Sequence, residues 1–217
     1  LMILAYASGA LVALLGGRDP LARSLGALCV SLAAGAGLAL ALTVIITSVP
    51  FSLMIPALLP IAGGFVLLLD PMGAFFLLIV GLGAIPAAIY GVGYTAAYEH
   101  EDVSVRLFGV MFNLFLLSMS LVTMAGNPFT FLILWEAMSL TSYFLVITEN
   151  HAEDSLSAGL WYAGMTHAGL ALILTAFVIL ANGGSDTFAD LRASSAALPA
   201  ASRNAVFILA FLGFGSK

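Results

Sequence analysis

The sequence predicts an all-α polytopic membrane protein with about seven transmembrane helices. Three observations predict it. Hydrophobic residues fill 62% of the 217 positions and charged residues only 8%, against roughly 25% charged in a soluble domain. The mean hydropathy is +1.15. Apolar runs of about 20 residues, the length that crosses a hydrocarbon core, recur between short polar breaks. Most charges fall in loops, so the net charge of −5 says little about acidic or basic partners, and nothing points to nucleic acid. The single Cys29 excludes an internal disulfide and any multi-cysteine metal or cluster site.

The expected spans are 1–16, 22–47, 71–97, 106–124, 128–148, 156–181 and 204–217, all within one transmembrane domain over 1–217. The first run has no basic segment before it, which argues against a signal peptide. The chain opens on Leu1, so the expectation is a first helix whose start is missing. Gly16, Gly17, Arg18, Asp19 and Pro20 end that run, and the charged stretch 99–106 separates the third span from the fourth. Pro128 is well placed at the first position of the fifth helix. The polar residues 148–155 join it to the sixth.

Two connections are unusual. Segment 48–70 is apolar enough to span, but Pro50, Pro56, Pro60, Gly63 and Gly64 break any helical ladder. It is expected as an irregular, partly extended segment on the membrane surface. Segment 182–204 is expected as an extramembrane loop, with Phe188, Leu191 and Leu198 available for a short interfacial helix. The last run, from Asn204 to Lys217, rises only about 20 Å at 1.5 Å per residue. A hydrocarbon core is about 30 Å thick. The run therefore reads as part of a span and the chain as the front of a longer protein, the alternative being a short helix whose Lys217 snorkels to the interface.

Polar residues inside the spans carry the functional reading. Glu136 sits eight residues into the fifth helix, after Pro128. A charge at the centre of a span costs about 2.5–3.5 kcal/mol on insertion scales. Ser139 and Tyr143, at i+3 and i+7, share its face and suit a hydrated interior. Lys217 is expected at a comparable depth as its oppositely charged partner: attraction holds both charges, desolvation opposes both, and the pair can switch. Gly213 and Gly215 before it either loosen the helix or let another helix come close. His167, midway along the sixth helix beside Thr166, can pass a proton onward near neutral pH. Asn113 and Ser120 share one face of the fourth helix, where they line water or hydrogen-bond a neighbouring helix. The plain alternative for Glu136 is a protonated carboxyl with a purely structural bond.

Other chemistries have little support. HExxH, CxxC, Walker A and GxSxG patterns do not occur. The acids of 99–102, with His151, Glu153 and Asp154, belong to separate loops and read as solvated charge rather than a metal site. No cofactor is expected.

The stretches FLILWEAMSLTSYFLV, YAGMTHAGLALIL and FLGFGSK, with LLLDPMGAFF opening the third span, resemble the Mrp-antiporter-like membrane subunits, which include the antiporter-like subunits of complex I. The wording around WEAMSL and THAG is closest to the large membrane subunit of formate-hydrogenlyase-type group 4 [NiFe]-hydrogenases. The resemblance implies the first half of an inverted-repeat antiporter-like fold of roughly fourteen helices. It also implies that the family's fifth-helix glutamate falls on Glu136, its seventh-helix lysine on Lys217 and the hydrogenase-branch histidine on His167. The implied function is proton or Na⁺ translocation in a prokaryotic inner membrane. It would be driven by redox chemistry in partners: other antiporter-like and small membrane subunits, and a peripheral hydrogenase or other redox arm. A passive membrane anchor and a stand-alone cation/proton antiporter remain the alternatives.

Basic residues set an orientation. Arg18, Arg23 and Arg106 flank odd-numbered loops, whereas Arg192 and Arg203 lie in the long 182–204 connection. The positive-inside rule then puts Arg18 and Asp19 in the cytoplasm and 182–204 outside. A cysteine at Ser185 should react with an impermeant thiol reagent added from outside; labelling from the cytoplasmic side alone would overturn this topology.

Overall fold

The computed structural model describes residues 1–56, 58, 63–98, 104–148, 153–181 and 187–217, without the side chains of residues 153 and 154. The loop residues Pro60, Glu99, Glu101, Asp102 and His151, and the labelling position Ser185, lie outside the described residues, as do the side chains of Glu153 and Asp154. The helices are α1 (Met2–Gly16), α2 (Pro20–Thr47), α3 (Pro71–Ala97), α4 (Val105–Val122), α5 (Pro128–Val146), α6 (Glu153–Ala181), α7 (Phe188–Ser195) and α8 (Ala200–Gly215). Five, α2 to α6, are long and apolar enough to cross a membrane, while α1 and α8 are shorter apolar helices.

Three helix starts repeat one local design. Asp19, Asp70 and Asn127 each precede a proline and cap the helix that follows. Asp19 Oδ1 accepts the Leu21 N–H at 2.9 Å, Asp70 Oδ1 the Gly73 N–H at 2.7 Å, and Asn127 Oδ1 the Thr130 N–H at 2.7 Å. The side-chain oxygen satisfies an amide that the first turn leaves orphaned, and proline fixes φ where no N–H is needed.

Segment 48–70 contains strands. β1 (Phe51–Ile55) pairs antiparallel with β2 (Phe65–Leu69). β2 is also stitched to the turn between α4 and α5: Leu68 N–H donates to Met124 O at 2.6 Å, and Gly126 N–H donates to Val66 O at 2.8 Å. Two side chains at the start of α5 complete the seam. Thr130 Oγ1 accepts the Val66 N–H at 3.0 Å, and Asn127 Nδ2 donates to Gly64 O at 3.0 Å. Asn127 thus caps α5 and pins the hairpin at once, which fixes the entry of the helix that carries Glu136.

The helices pack through small residues. Ala33, Ala34 and Ala41 of α2 and Ala74, Ala84 and Ala88 of α3 are buried together with Tyr6, Val30 and Leu77. Between apolar helices in lipid, close backbone approach is the main source of attraction, and small side chains permit it. α4 joins this group to α5, and α6 packs against α5 and α8. The short α7, within the segment expected as an extramembrane loop, folds back onto the end of α6. Leu191 is buried, Phe188 stacks edge-on against Phe177 at 5.8 Å, and Ser194 Oγ donates to Leu180 O at 3.1 Å.

The crossing of α6 and α8 is the tightest contact near the site. A Cβ added at Gly213 would lie 2.7 Å from Ile173 Cγ1 and 2.9 Å from Gly169 O; one added at Gly169 would overlap Ser216 Oγ. A Cβ at Gly215 would meet nothing within 4 Å. Of the two roles open to these glycines, Gly213 therefore serves close approach. Gly213→Ala should destabilise the protein by about 1–3 kcal/mol through overpacking. Gly215→Ala should be neutral or stabilising by up to about 1 kcal/mol through helix propensity. Thermal unfolding in detergent compares the two, and equal effects would contradict this packing.

Candidate functional site

Three helices converge on the middle of α5. Glu136 lies near its midpoint and His167 near the midpoint of α6. Lys217 follows directly on α8, carried there by the Gly169–Gly213 crossing. On α5, Trp135, Ser139 and Ser142 fall at i, i+4 and i+7 and make one stripe, while Glu136 stands about 100° around the helix from Trp135.

Glu136 Oε1 lies 2.8 Å from His167 Nε2. The other ring nitrogen, Nδ1, lies 2.8 Å from Ala163 O, one turn back on α6. A carbonyl oxygen only accepts, so Nδ1 carries a proton in this arrangement. The Nε2···Oε1 bond then holds one proton: either the carboxylic acid donates to a neutral imidazole, or an imidazolium donates to the carboxylate. Two protons would collide along that line and none would leave two lone pairs facing each other. Thr166, buried on α6, donates Oγ1–H to the same Ala163 oxygen at 3.1 Å. The carboxyl is mostly covered, with 24% of its side chain exposed, and Oε2 is buried with no partner among the described residues. The imidazole is 52% exposed on the outer side of the chain.

Lys217 does not take up the direct pairing with Glu136 that the sequence suggests. Its Nζ donates to Ser139 Oγ at 2.8 Å, and Ser139 passes its own proton to Trp135 O at 2.9 Å. The reason is rotational: α8 approaches the 135/139/142 stripe, whereas the carboxyl turns toward α6. The ammonium lies 5.6 Å from the Trp135 ring centre and 5.8 Å from that of Tyr162. Tyr162 is itself held by a 2.5 Å bond between its hydroxyl and Ser142 Oγ.

The structure therefore gathers Glu136, His167, Ser139 and Lys217, with Thr166 joined through the shared carbonyl. Tyr143 is elsewhere; its ring packs on Phe144 at 5.4 Å and beside Gly159 of α6. Asn113 lies in the other helix group. It donates to Gly109 O at 2.9 Å and lines a cavity of about 60 Å³ among α1 to α4, with Arg23 and Thr95. Ser120 donates to Leu116 O at 2.8 Å on its own helix. Trp135, Tyr162 and Ser142 were missed from sequence. The available signal was the 135/139/142 spacing itself, an aromatic and two hydroxyls on one helical face.

A family model described as NADH:quinone oxidoreductase/Mrp antiporter, transmembrane, matches residues 125–217, which include α5, α6 and α8. Two uncharacterized proteins from strains of Mycobacterium tuberculosis are 48% identical over 105 residues, covering 48% of this chain and 16% of theirs. Hydrogenase-4 component B of Escherichia coli is 40% identical over 127 residues, covering 57% of this chain and 18% of that protein. The chain thus matches less than a fifth of the length of these relatives. A chain of the membrane-bound sulfane sulfur reductase, an archaeal respiratory membrane complex, superposes with a TM-score of 0.74 over 100% of this chain and 33% of its own, at 20% identity, which establishes a shared fold. This chain is a multi-pass membrane protein whose residues 125–217 are similar to the Mrp/complex I-like antiporter family and whose fold is that of a respiratory membrane complex subunit.

Proposed function

We propose that this chain is the proton-handling part of an antiporter-like subunit that couples redox chemistry to ion translocation across a prokaryotic cytoplasmic membrane. The complex it serves would be a membrane-bound hydrogenase or an NADH-quinone-oxidoreductase-like assembly. Other antiporter-like and small membrane subunits would flank it, and a peripheral arm would carry the redox centres. The similarity to Hydrogenase-4 component B favours the hydrogenase branch. The observation that carries the reading is the Glu136–His167 bond with its single proton in the middle of two apolar helices. Such a pair has two states of nearly equal geometry that differ only in which group owns the proton. It is built for protons rather than Na⁺, since an imidazole nitrogen facing the carboxyl offers no oxygen cage.

Lys217 would select between the two states. With its ammonium on Ser139, the carboxyl shares its proton with His167. If the ammonium swings toward Glu136, its charge favours the carboxylate, and the proton passes to Nε2 to give the imidazolium. The half-exposed ring then gives this proton to a water on its exposed side, while the ammonium at Glu136 screens the carboxylate from the bared Nε2. When the lysine returns to Ser139 the carboxyl can be reloaded. A passive membrane anchor needs none of these groups, and a stand-alone antiporter would work without partners.

Glu136→Gln keeps shape and can still donate an N–H to Nε2, but it carries no transferable proton. In the assembled complex it should leave subunit composition unchanged and cut proton translocation by about a hundredfold, the low end of what loss of a positioned proton-transfer group costs. Lys217→Met should also impair translocation, and the double variant should be no worse than the more severe single one. Near-normal pumping by Glu136→Gln at matched expression would leave the anchor as the better reading. Robust transport by the purified chain alone in liposomes would favour the independent antiporter.

A further inference from the structure

The proposed switch leaves one physical question open. An ammonium is strongly hydrated, and Ser139 provides a single acceptor for its three N–H groups. Among the described residues a second interaction is needed beside that bond to keep the charge from collapsing onto Glu136. Two aromatic faces meet that need. The Trp135 and Tyr162 ring centres lie 5.6 and 5.8 Å from Nζ, within the roughly 6 Å over which a ring quadrupole attracts a cation. They come from different helices, α5 and α6, and Lys217 enters from a third.

Both rings are fixed from behind. Trp135 meets Phe214 nearly perpendicular, with centres 5.5 Å apart, and lies 5.4 Å from Phe131. Phe214 belongs to α8, three residues before Lys217, so one helix delivers both the cation and a buttress for the ring that receives it. Tyr162 is tied through Ser142. That serine lies 2.8 Å from Met138 O and 2.9 Å from Ser139 O, so its own proton goes to a carbonyl and it accepts from the tyrosine hydroxyl.

We propose that Trp135 and Tyr162 form an aromatic clamp that parks the Lys217 ammonium on Ser139, one helical turn from Glu136, and that Ser142 sets the tyrosine ring. These are positioning residues. They hold the partly covered ammonium beside Ser139 without an ion pair, which leaves the carboxyl free to share its proton with His167. The clamp is also soft. A cation–π contact carries no covalent or hydrogen-bond geometry that must break before the lysine swings, so the parked state is held without being locked.

This inference rests on the translocation reading, and the test separates the two. In the assembled complex, Trp135→Leu and Tyr162→Leu should each slow translocation by about three- to tenfold, the fold-change equivalent of one cation–π contact at a partly desolvated site. Trp135→Phe keeps an aromatic face and should retain most of the rate, whereas Tyr162→Phe keeps the face but loses the Ser142 tether and should fall between the parent and Tyr162→Leu. Leucine variants as active as the parent, or phenylalanine variants as poor as leucine ones, would overturn the clamp. A second readout does not depend on transport. In protein labelled with 5-fluorotryptophan, Lys217→Met should move the fluorine resonance of Trp135 and leave that of the exposed Trp161 in place. An unmoved Trp135 resonance overturns the clamp whatever the rates are. A moved resonance with normal translocation in Lys217→Met upholds the clamp and sinks the translocation reading instead.

Discussion

The hydrogen bond between Glu136 Oε1 and His167 Nε2 constrains everything around it. Lipid offers no partner to a carboxyl in mid-span, so α5 can carry Glu136 only if a neighbouring helix supplies one. That requirement fixes which face of α6 meets α5. It fixes the tautomer of His167 through Ala163 O. It also commits the opposite edge of α5 to α8, which brings in Lys217 on the stripe of Trp135 and Ser139. Acid and base thus meet adjacent faces of one helix, each bonded to a different partner.

The supporting structure explains how such a site is kept in register. At one end of α5, Asn127 and Thr130 lace the helix to the β1–β2 hairpin, and β2 is in turn bonded to the α4–α5 turn. Farther along, the close glycine crossing of α6 and α8 sets how far Lys217 reaches. The α2–α3 seam is packed largely through alanine and glycine, and among the described residues the α1–α4 group carries no part of the Glu136 network; its Asn113 bonds within its own helix. The division of labour is a rigid small-residue scaffold on one side and a polar three-helix junction on the other.

Much of this was legible in the sequence because lipid makes the rules strict. Apolar length placed α2 to α6 within a few residues of their observed ends, and Pro128 marked the start of α5; Asp19 and Pro20, read as the end of the first run, also open α2. Glu136, Lys217 and His167 stood out because ionisable groups are costly in apolar runs. Segment 48–70 reads from sequence as partly extended, but its register needs tertiary partners: β2 bonds the α4–α5 turn and the start of α5 along its other edge, through Val66 and Leu68. Pairings across helices were less legible. Spacing along α5 gives angles about its own axis and not the direction from which α8 arrives. Glu136 was therefore matched with Lys217 by charge, while the structure gives the lysine to Ser139 and the carboxyl to His167. Tyr143 and Asn113 lie outside the Glu136, His167 and Lys217 group. Trp135 and Tyr162 look like ordinary membrane aromatics until a cation is placed between them.

The central claim is that one proton lies between Glu136 and His167 while Nδ1 stays protonated. Nitrogen-15 NMR of the histidine ring, in the assembled complex with His167 identified by substitution, reads both nitrogens directly. The account predicts a protonated Nδ1 in every state. Nε2 should either accept from the carboxylic acid or be protonated as part of an imidazolium, and it should change when Glu136 is replaced by Gln. A neutral His167 with its proton on Nε2 and a bare Nδ1, unaltered by Glu136→Gln, would contradict it.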